Sequence, residues 1–254
     1  IEGGNLILSS EERREIISEY PQAESFIRPL YSAEDYIKGL ARYCIWVKDS
    51  EKEIAAKISP FKTRFEKVKR FREEGGEVAR SLVHIPYRFR YVHEAKDNLL
   101  ILPRTSSERR QYLPIGFLES NVIVTDATQV IYDPDPFILG VLSSRIHMSW
   151  IKSVAGRLES RYRYSNSLCY NNFPIPDLTS NEKAGIATHV FNVLEEREKH
   201  PEKTMAELYD PDKMPKGLLE AHHELDLVVE RCYRSKLFQS DEERLEYLFK
   251  LYGK

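Results

Sequence analysis

Few residues of this 254-residue sequence have the types and spacing that bond-making chemistry requires. The segment Glu94-Ala95-Lys96 resembles part of a metal-dependent nuclease motif, in which two carboxylates hold a cation and a lysine assists the attacking water. The predicted strand before it supplies no second acidic residue at the usual distance, so a nuclease is kept only as an alternative. His222 and His223 are neighbours on a predicted helix, and their side chains point too far apart to chelate one ion together. The sequence therefore predicts no catalytic residue and no metal site.

The motifs of larger catalytic sites are missing as well. A methyltransferase acting on an adenine amino group needs a glycine-containing cofactor loop and an Asn/Asp-Pro-Pro-aromatic motif that holds the flipped base. The nearest string, NNFPIP at 171–176, has the wrong order and is interpreted as a structural turn. The string DPDP at 133–136 is explained by helix capping. Without a Gly-x-Ser-x-Gly elbow or a phosphate-binding glycine loop, hydrolase and nucleotide-binding functions find no support.

Positive charge is concentrated in two separate stretches. The formal net charge is only -2, but residues 61–112 carry 13 Lys and Arg against 7 Asp and Glu, and residues 145–165 carry 5 against 1. Acidic segments on either side offset this positive charge, so the net charge of the whole chain does not show it. Such a pattern is expected if one face of the protein meets a polyanion. A pair of solvated helix faces is the alternative interpretation.

The densest basic string is RLESRYR at 157–163. Strand alternation would place Arg157, Glu159, Arg161 and Arg163 on one face. An acid among three guanidinium groups can accept a hydrogen bond from cytosine while an arginine donates to guanine, so Glu159 and Arg161 are candidate base readers. An exposed strand with cross-strand ion pairs is the alternative.

A second arginine cluster interleaves with aromatic residues between positions 87 and 112. Arg88 and Arg90 would share a strand face, whereas the basic residues at 67–72 are interpreted as a solvated helix edge. Hydroxyl and amide side chains nearby suit phosphate oxygens. The candidate DNA-contacting residues are Arg88, Arg90, Arg104, Arg109, Arg110, Lys152, Arg157, Glu159, Arg161, Arg163, Ser165 and Asn166.

The elements that must position these residues are read from hydrophobic periodicity. A capping box at Ser9 and Glu12, a buried strand over 41–47 and a helix over 50–74 with an apolar stripe from Phe61 to Phe71 come first. Five β-rich segments at 85–93, 98–103, 112–118, 121–126 and 129–132 predict a twisted, largely antiparallel sheet. One covering helix should run from Asp135 to Gly156. The predicted fold class is α+β.

The chain after the Pro- and Asn-rich run at 171–176 is predicted to be wholly helical. Thr179 and Ser240 each begin a helix with a glutamate three residues later. We expect a DNA target-recognition domain over 1–176 and a small all-helical domain over 177–254. The acidic polar faces of these helices suit packing against a neighbouring domain.

Composition indicates a folded cytoplasmic protein. No apolar run approaches the ~18 residues needed to span a bilayer, and the N-terminus lacks a signal pattern, so no membrane partner is expected. Cys44, Cys169 and Cys232 are interpreted as ordinary reduced thiols. The chain begins at Ile1, which suggests a fragment of a longer protein.

Three strings resemble one family: IRPLYSAEDYIKGLARYCIWVKD at 27–49, GRLESRYRYSNSLCYNNFPIP at 156–176 and AHHELDLVVERCYRSKLFQSDEERLEYLFKLY at 221–252. They are similar to the target-recognition and C-terminal helical regions of MmeI-like enzymes, which join an adenine-N6 DNA methyltransferase to a specificity module. The middle string also resembles the recognition domains of type I restriction specificity subunits.

The resemblance implies a non-catalytic module that binds double-stranded DNA and packs against a methyltransferase domain of its own parent chain. S-adenosylmethionine would bind in that catalytic domain, which would precede Ile1, and no cofactor is expected within these residues. The resemblance also assigns the Arg163-Tyr164-Ser165 string and the turn at 171–176 to a shared framework. A separate specificity subunit that acts as a protein-interaction module is a further alternative.

Overall fold

The computed structural model describes residues 2–126 and 128–253. The strands within them are β1 (Ile7–Leu8), β2 (Ile27–Tyr31), β3 (Arg42–Ile45), β4 (Asn98–Leu102), β5 (Thr105–Ser106), β6 (Gly116–Glu119), β7 (Ile123–Val124), β8 (Gln129–Tyr132), β9 (Gly156–Leu158) and β10 (Arg161–Arg163). The α-helices are α1 (Ser10–Glu19), α2 (Ala33–Lys38), α3 (Lys52–Ala55), α4 (Ser59–Glu73), α5 (Glu77–Arg80), α6 (Pro136–Ser143), α7 (Arg145–Val154), α8 (Ser180–Glu198), α9 (Met205–Leu208), α10 (Lys216–Tyr233) and α11 (Asp241–Tyr252). The predicted α+β class with a helical C-terminal region is confirmed.

Packing divides the chain into two compact units. Unit 1 comprises the described parts of Ile1–Asp35, Leu40–Asp97 and Glu119–Thr125. Unit 2 comprises the described parts of Tyr36–Gly39, Asn98–Leu118 and Asp126–Lys254. The described residues form three sheets, with strand orders β1-β3-β2-β7, β5-β10-β9 and β6-β4-β8. Of the five segments predicted to form one sheet, 98–103, 112–118 and 129–132 supply the strands of β6-β4-β8, and 121–126 supplies β7 of the first sheet.

Unit 1 is built on the sheet β1-β3-β2-β7, in which only the β2–β7 pair is parallel. Helix α1 begins with the predicted capping box, because the side chain of Ser9 accepts from the backbone of Glu12 and the side chain of Glu12 accepts from the backbone of Ser9. Helix α4 supplies Phe61, Phe65 and Val68 to the buried core. The apolar stripe predicted from the sequence is therefore confirmed up to Val68.

The last turn of α4 departs from the prediction. Phe71 is exposed, and Arg72, assigned to the solvated edge, is fully buried instead. Its guanidinium group donates to the backbone carbonyls of Leu82 and Ile85 at 2.7 to 2.9 Å and to that of Arg88 at 2.9 Å. A buried arginine with these acceptors organises a chain segment that has no sheet partner. Residues 85–93 accordingly form turns and irregular backbone, and the strand predicted there is wrong.

Unit 2 surrounds the larger hydrophobic core. The predicted covering helix is two helices, α6 and α7, because Ser144 has an extended backbone and its side chain accepts from the backbone of His147. Gly140 permits close approach of α6 to α8, since a Cβ atom there would collide with Ile186 and lie 2.9 Å from Val190. Trp150 of α7 is buried in the same core.

Helices α8, α10 and α11 pack on that core as well. The capping box of Thr179 and Glu182 at the start of α8 is formed, and Ser240 caps α11. Apolar residues of α8, α10 and α11 belong to one core with residues of β4 and α7. One carboxylate of α11, Asp241, accepts at 2.9 Å from both Arg145 and Lys152, which lie at the two ends of α7. Residues 177–254 are therefore tied to α7 by both apolar and ionic contacts.

Residues 2–126 and 128–253 lack two features of other protein classes. No helix there is both long enough and apolar enough to cross a bilayer. No group of three or more His, Cys, Asp or Glu is arranged to hold a metal ion in this part of the chain. Cys44, Cys169 and Cys232 are free thiols.

Candidate nucleic-acid interface

The sheet β5-β10-β9 of unit 2 brings two distant basic segments together. Strand β10 pairs with β5 through Arg163 opposite Thr105, and with β9 through Arg161 opposite Leu158. The backbone N–H of Tyr164 extends the first pairing by donating to the carbonyl of Arg104 at 2.8 Å. The arginine-rich segments at 104–110 and 157–163 are thus parts of one small surface, which we call the basic sheet.

The string RLESRYR forms a β-hairpin rather than the single strand that its alternation predicts. The turn consists of Glu159 and Ser160, and Glu159 has a left-handed backbone with φ of 57°. Arg157 consequently lies opposite Tyr162 and stacks its guanidinium group 4.1 Å above the Tyr162 ring centre. Arg161 and Arg163 point to the other face, because directly opposed residues of a pair share a face and neighbours along a strand alternate. The prediction that all four charged residues share one face is wrong.

Glu159 and Arg161, the two candidate base readers, form an ion pair at the turn. Their charged atoms are 2.8 Å apart, and both side chains are exposed. Exposed pairs of this kind contribute only about 0–1 kcal/mol, so a ligand with matching polar edges can separate them at little cost. The geometry therefore contains an ion pair, as the alternative interpretation expects, but the pair lies at the turn rather than across two strands, and both groups are accessible.

The predicted arginines of the 104–110 segment differ in their surroundings. Arg104 is exposed, whereas Arg110 is partly buried, and burial lowers its pKa. Arg109 is exposed and forms an ion pair with Asp212 at 2.5 Å, which raises the pKa of Arg109 through hydrogen bonding and charge. Arg104 is therefore the arginine of this segment best placed to meet an anion.

Two further candidates, Lys152 and Ser165, have structural roles of their own, and a third, Asn166, is exposed. Lys152 is held by Asp241, as described above. Ser165 caps the π-helical turn Asn166–Tyr170, since its hydroxyl accepts from the backbone N–H of Leu168 at 3.2 Å. Asn166 is exposed at the start of that turn.

Arg88 and Arg90 belong to unit 1, whereas the basic sheet belongs to unit 2. Neither lies on a strand. Arg88 forms an ion pair with Asp49 at 3.0 Å, and Arg90 stacks over the ring of Tyr91 at 4.9 Å. The second arginine cluster of the sequence is therefore divided between the two units.

The sequence does not predict a pocket of about 190 Å³ that lies beside Asn166. It is lined by three aliphatic residues, two tyrosines and three amide residues: Leu102, Val130, Ile131, Tyr164, Tyr170, Gln129, Asn166 and Asn171. Gln129 lies on β8, whereas Asn166 and Asn171 lie in the segment after β10. Because these residues are far apart in the sequence, no local pattern predicts the pocket. The turn at 171–176, which the resemblance assigns to a shared framework, thus also contributes Asn171 to the lining of this pocket.

Glu94, the residue of the nuclease alternative, has other partners. Its carboxylate accepts from the indole N–H of Trp46 and from Arg28, both at 2.8 Å, and Lys48 lies 3.5 Å away. Burial raises the pKa of Glu94, but these partners outweigh it and lower the pKa overall. The carboxylate serves as the centre of a polar cluster in unit 1.

Comparison with known proteins identifies the family. Residues 1–177 match the model of the MmeI target recognition domain, and residues 179–254 match that of the MmeI C-terminal domain. The chain belongs to the MmeI family. DNA methyltransferase A of Bacillus subtilis (strain 168) is 40% identical over 252 residues, which are 99% of this chain and 29% of that protein.

The MmeI fold is also seen in a solved structure. The Type IIL restriction-modification enzyme MmeI in complex with DNA matches with a TM-score of 0.92 and 35% identity, over 99% of this chain and 34% of that chain. The resemblance stated from the sequence is confirmed. This MmeI-family chain spans about a third of the length of each of these two relatives.

Proposed function

We propose that this chain is the sequence-specific recognition module for double-stranded DNA of an adenine-N6 DNA methyltransferase or a restriction-modification enzyme, and that it is itself non-catalytic. The basic sheet carries the proposal, because it joins two arginine-rich segments in a chain of the MmeI target-recognition family. The related MmeI was solved in complex with DNA, which supports the same kind of partner here.

The proposed mechanism is positioning. Phosphate contacts fix the register of a protein on DNA, and contacts to base edges supply sequence information. Arg104 and Arg163 are exposed, which suits phosphate oxygens. Glu159 and Arg161 present an acceptor and a donor at the tip of a hairpin, and a two-stranded ribbon fits the major groove of B-form DNA. We assign base reading to this pair.

The remainder of the protein is part of the proposal. Since the relatives are about three times as long, we propose that a methyltransferase domain that binds S-adenosylmethionine lies outside these residues. Residues 1–176 would read the DNA and the helical residues 177–254 would pack against the recognition region and the catalytic domain. We place the protein in the bacterial cytoplasm, where its DNA substrate is.

The test is to map N6-methyladenine across the genome of cells that express the full-length protein. The wild type should methylate adenine within one defined sequence. Arg161→Ala should relax one position of that sequence, because one base-edge contact is worth about 1–3 kcal/mol of discrimination. Arg14→Ala is the matched control, since Arg14 is an exposed arginine of α1 outside both basic stretches.

The outcomes separate the parts of the proposal. An unchanged sequence with Arg161→Ala would reject that residue as a reader and leave the recognition function standing. Methylation without any sequence preference would contradict the recognition function. The polar partners of Glu94 favour neither the nuclease alternative nor a metal site at that residue.

A further inference from the structure

The outer face of the hairpin β9–β10 carries one exposed apolar side chain among arginines. Leu158 lies directly opposite Arg161, so both point to the same face as Arg163. Leu158 is 46% exposed, whereas Tyr162, on the other face, is 6% exposed and belongs to the core of unit 2. The hairpin therefore buries Tyr162 on one face and presents Leu158 on the other.

The residues next to Leu158 leave its side chain accessible. Gly156 lies opposite Arg163 and adds no side chain to this face, and a Cβ atom there would meet only the Cβ of Arg163, at 3.9 Å. The turn next to Leu158 is formed by Glu159 and Ser160, which are exposed. A flat surface that approaches Leu158 would thus reach it together with Arg161.

We propose that Leu158 contacts the C5-methyl group of a thymine in the major groove. This inference rests on the proposed DNA-recognition function and names a specificity residue within it. The flanking guanidinium groups favour a polyanion, and in duplex DNA the thymine methyl is the apolar group on a base edge that a major-groove ribbon meets. Leucine has no hydrogen-bonding group, so its preference must come from an apolar contact.

The register gives Leu158 and the Glu159–Arg161 pair different tasks. Leu158 precedes the turn on β9 and Arg161 follows it on β10, so the two side chains stand side by side across the hairpin. Side chains so placed reach neighbouring positions on a base-pair surface. Leu158 would therefore read the methyl of an A·T pair next to the pair contacted by Glu159 and Arg161.

The test uses target duplexes in which each thymine is replaced in turn by deoxyuridine, which removes the methyl and keeps base pairing. Affinities of the full-length protein are measured at one salt concentration. For the wild type, one replacement should weaken binding about fourfold, the ratio that corresponds to one buried methyl group. Leu158→Ala should bind the thymine and deoxyuridine duplexes equally, and Leu158→Met should keep the difference.

Leu40→Ala is the matched control, because Leu40 is 48% exposed and lies outside the basic stretches. It should retain the wild-type response to deoxyuridine. The inference is overturned if no replacement weakens the wild type, or if Leu158→Ala stays sensitive to the methyl, while the target is still preferred over a scrambled duplex. Loss of that preference in the wild type would instead overturn the proposed function together with the inference.

Discussion

Asp226 is a residue whose protonation state is coupled to the fold. It is buried on α10 and accepts from the hydroxyl of Tyr112 at 2.6 Å and from the backbone N–H of Arg145 at 2.7 Å. Burial raises the pKa of Asp226 from 3.8 to about 7, although both hydrogen bonds act in the opposite direction. Within unit 2, one carboxyl group thus links α10, the start of α7 and the segment before β6.

Because of Asp226, the free energy of unfolding should decrease as the pH rises. The folded state binds this proton more tightly than the unfolded state, so the stabilisation is fully present below the unfolded pKa of 3.8 and is lost as pH rises to about 7. Asp226→Asn keeps the shape and removes the titration. Urea unfolding between pH 4.5 and 8 measures the free energy of unfolding of both proteins. As pH rises, the value for the variant should increase relative to that for the wild type by up to ~1.4 kcal/mol per pH unit. A constant difference between the two proteins would contradict this assignment.

At the scale of elements, the hairpin β9–β10 depends on an unusual turn. Glu159 has φ of 57°, a conformation that disfavours side chains other than glycine or asparagine. Glu159→Gly should therefore raise the free energy of unfolding by about 0.5–1 kcal/mol, even though the exposed ion pair to Arg161 is lost. Chemical denaturation measures the change.

Ser160→Gly is the control for that variant. Ser160 occupies the same turn without a positive φ, so glycine there only adds freedom to the unfolded chain and should lower stability. If both glycine variants destabilise the protein equally, backbone strain at Glu159 does not limit the hairpin.

The elements that the sequence predicts well are those with local signals. The capping boxes of α1 and α8 lie within four consecutive residues each, and the α4 stripe follows one helical period. The sequence does not predict the hairpin, because Glu-Ser is not one of the residue pairs that favour a two-residue hairpin turn. Residues 85–93 alternate like a strand, yet their conformation is set by Arg72, a residue more than ten positions away from all of them.

The candidate site was predicted in part for the same reason. The sequence identifies which arginines are concentrated, but the pairing of β5 with β10 spans more than 50 residues and has no local signature. The sequence thus identifies Arg104 and Arg163 as candidates but does not predict that their segments pair in one sheet. Arg88 and Arg90 are close to Arg104 in sequence but belong to the other unit.

At the scale of the whole molecule, binding to DNA should depend strongly on salt. Each phosphate neutralised contributes a slope of about -0.9 to the dependence of log affinity on log salt concentration. Arg163→Gln should reduce the magnitude of the slope by about 1 and weaken target and scrambled duplexes alike. Arg14→Gln, the control on α1, should leave the slope unchanged. An unaltered slope with Arg163→Gln would remove this residue from the set of phosphate contacts.

The shared core of unit 2 limits how specificity can be transplanted between relatives. Residues of β4, α7, α8, α10 and α11 meet in one apolar interior, and Asp241 binds both ends of α7. In a chimera joined near residue 177, the core residues before the junction would come from one protein and those after it from another, so their side chains would not be complementary in packing. Grafting the hairpin alone, from Gly156 to Tyr164, leaves most of that interior intact and is the exchange that the architecture tolerates.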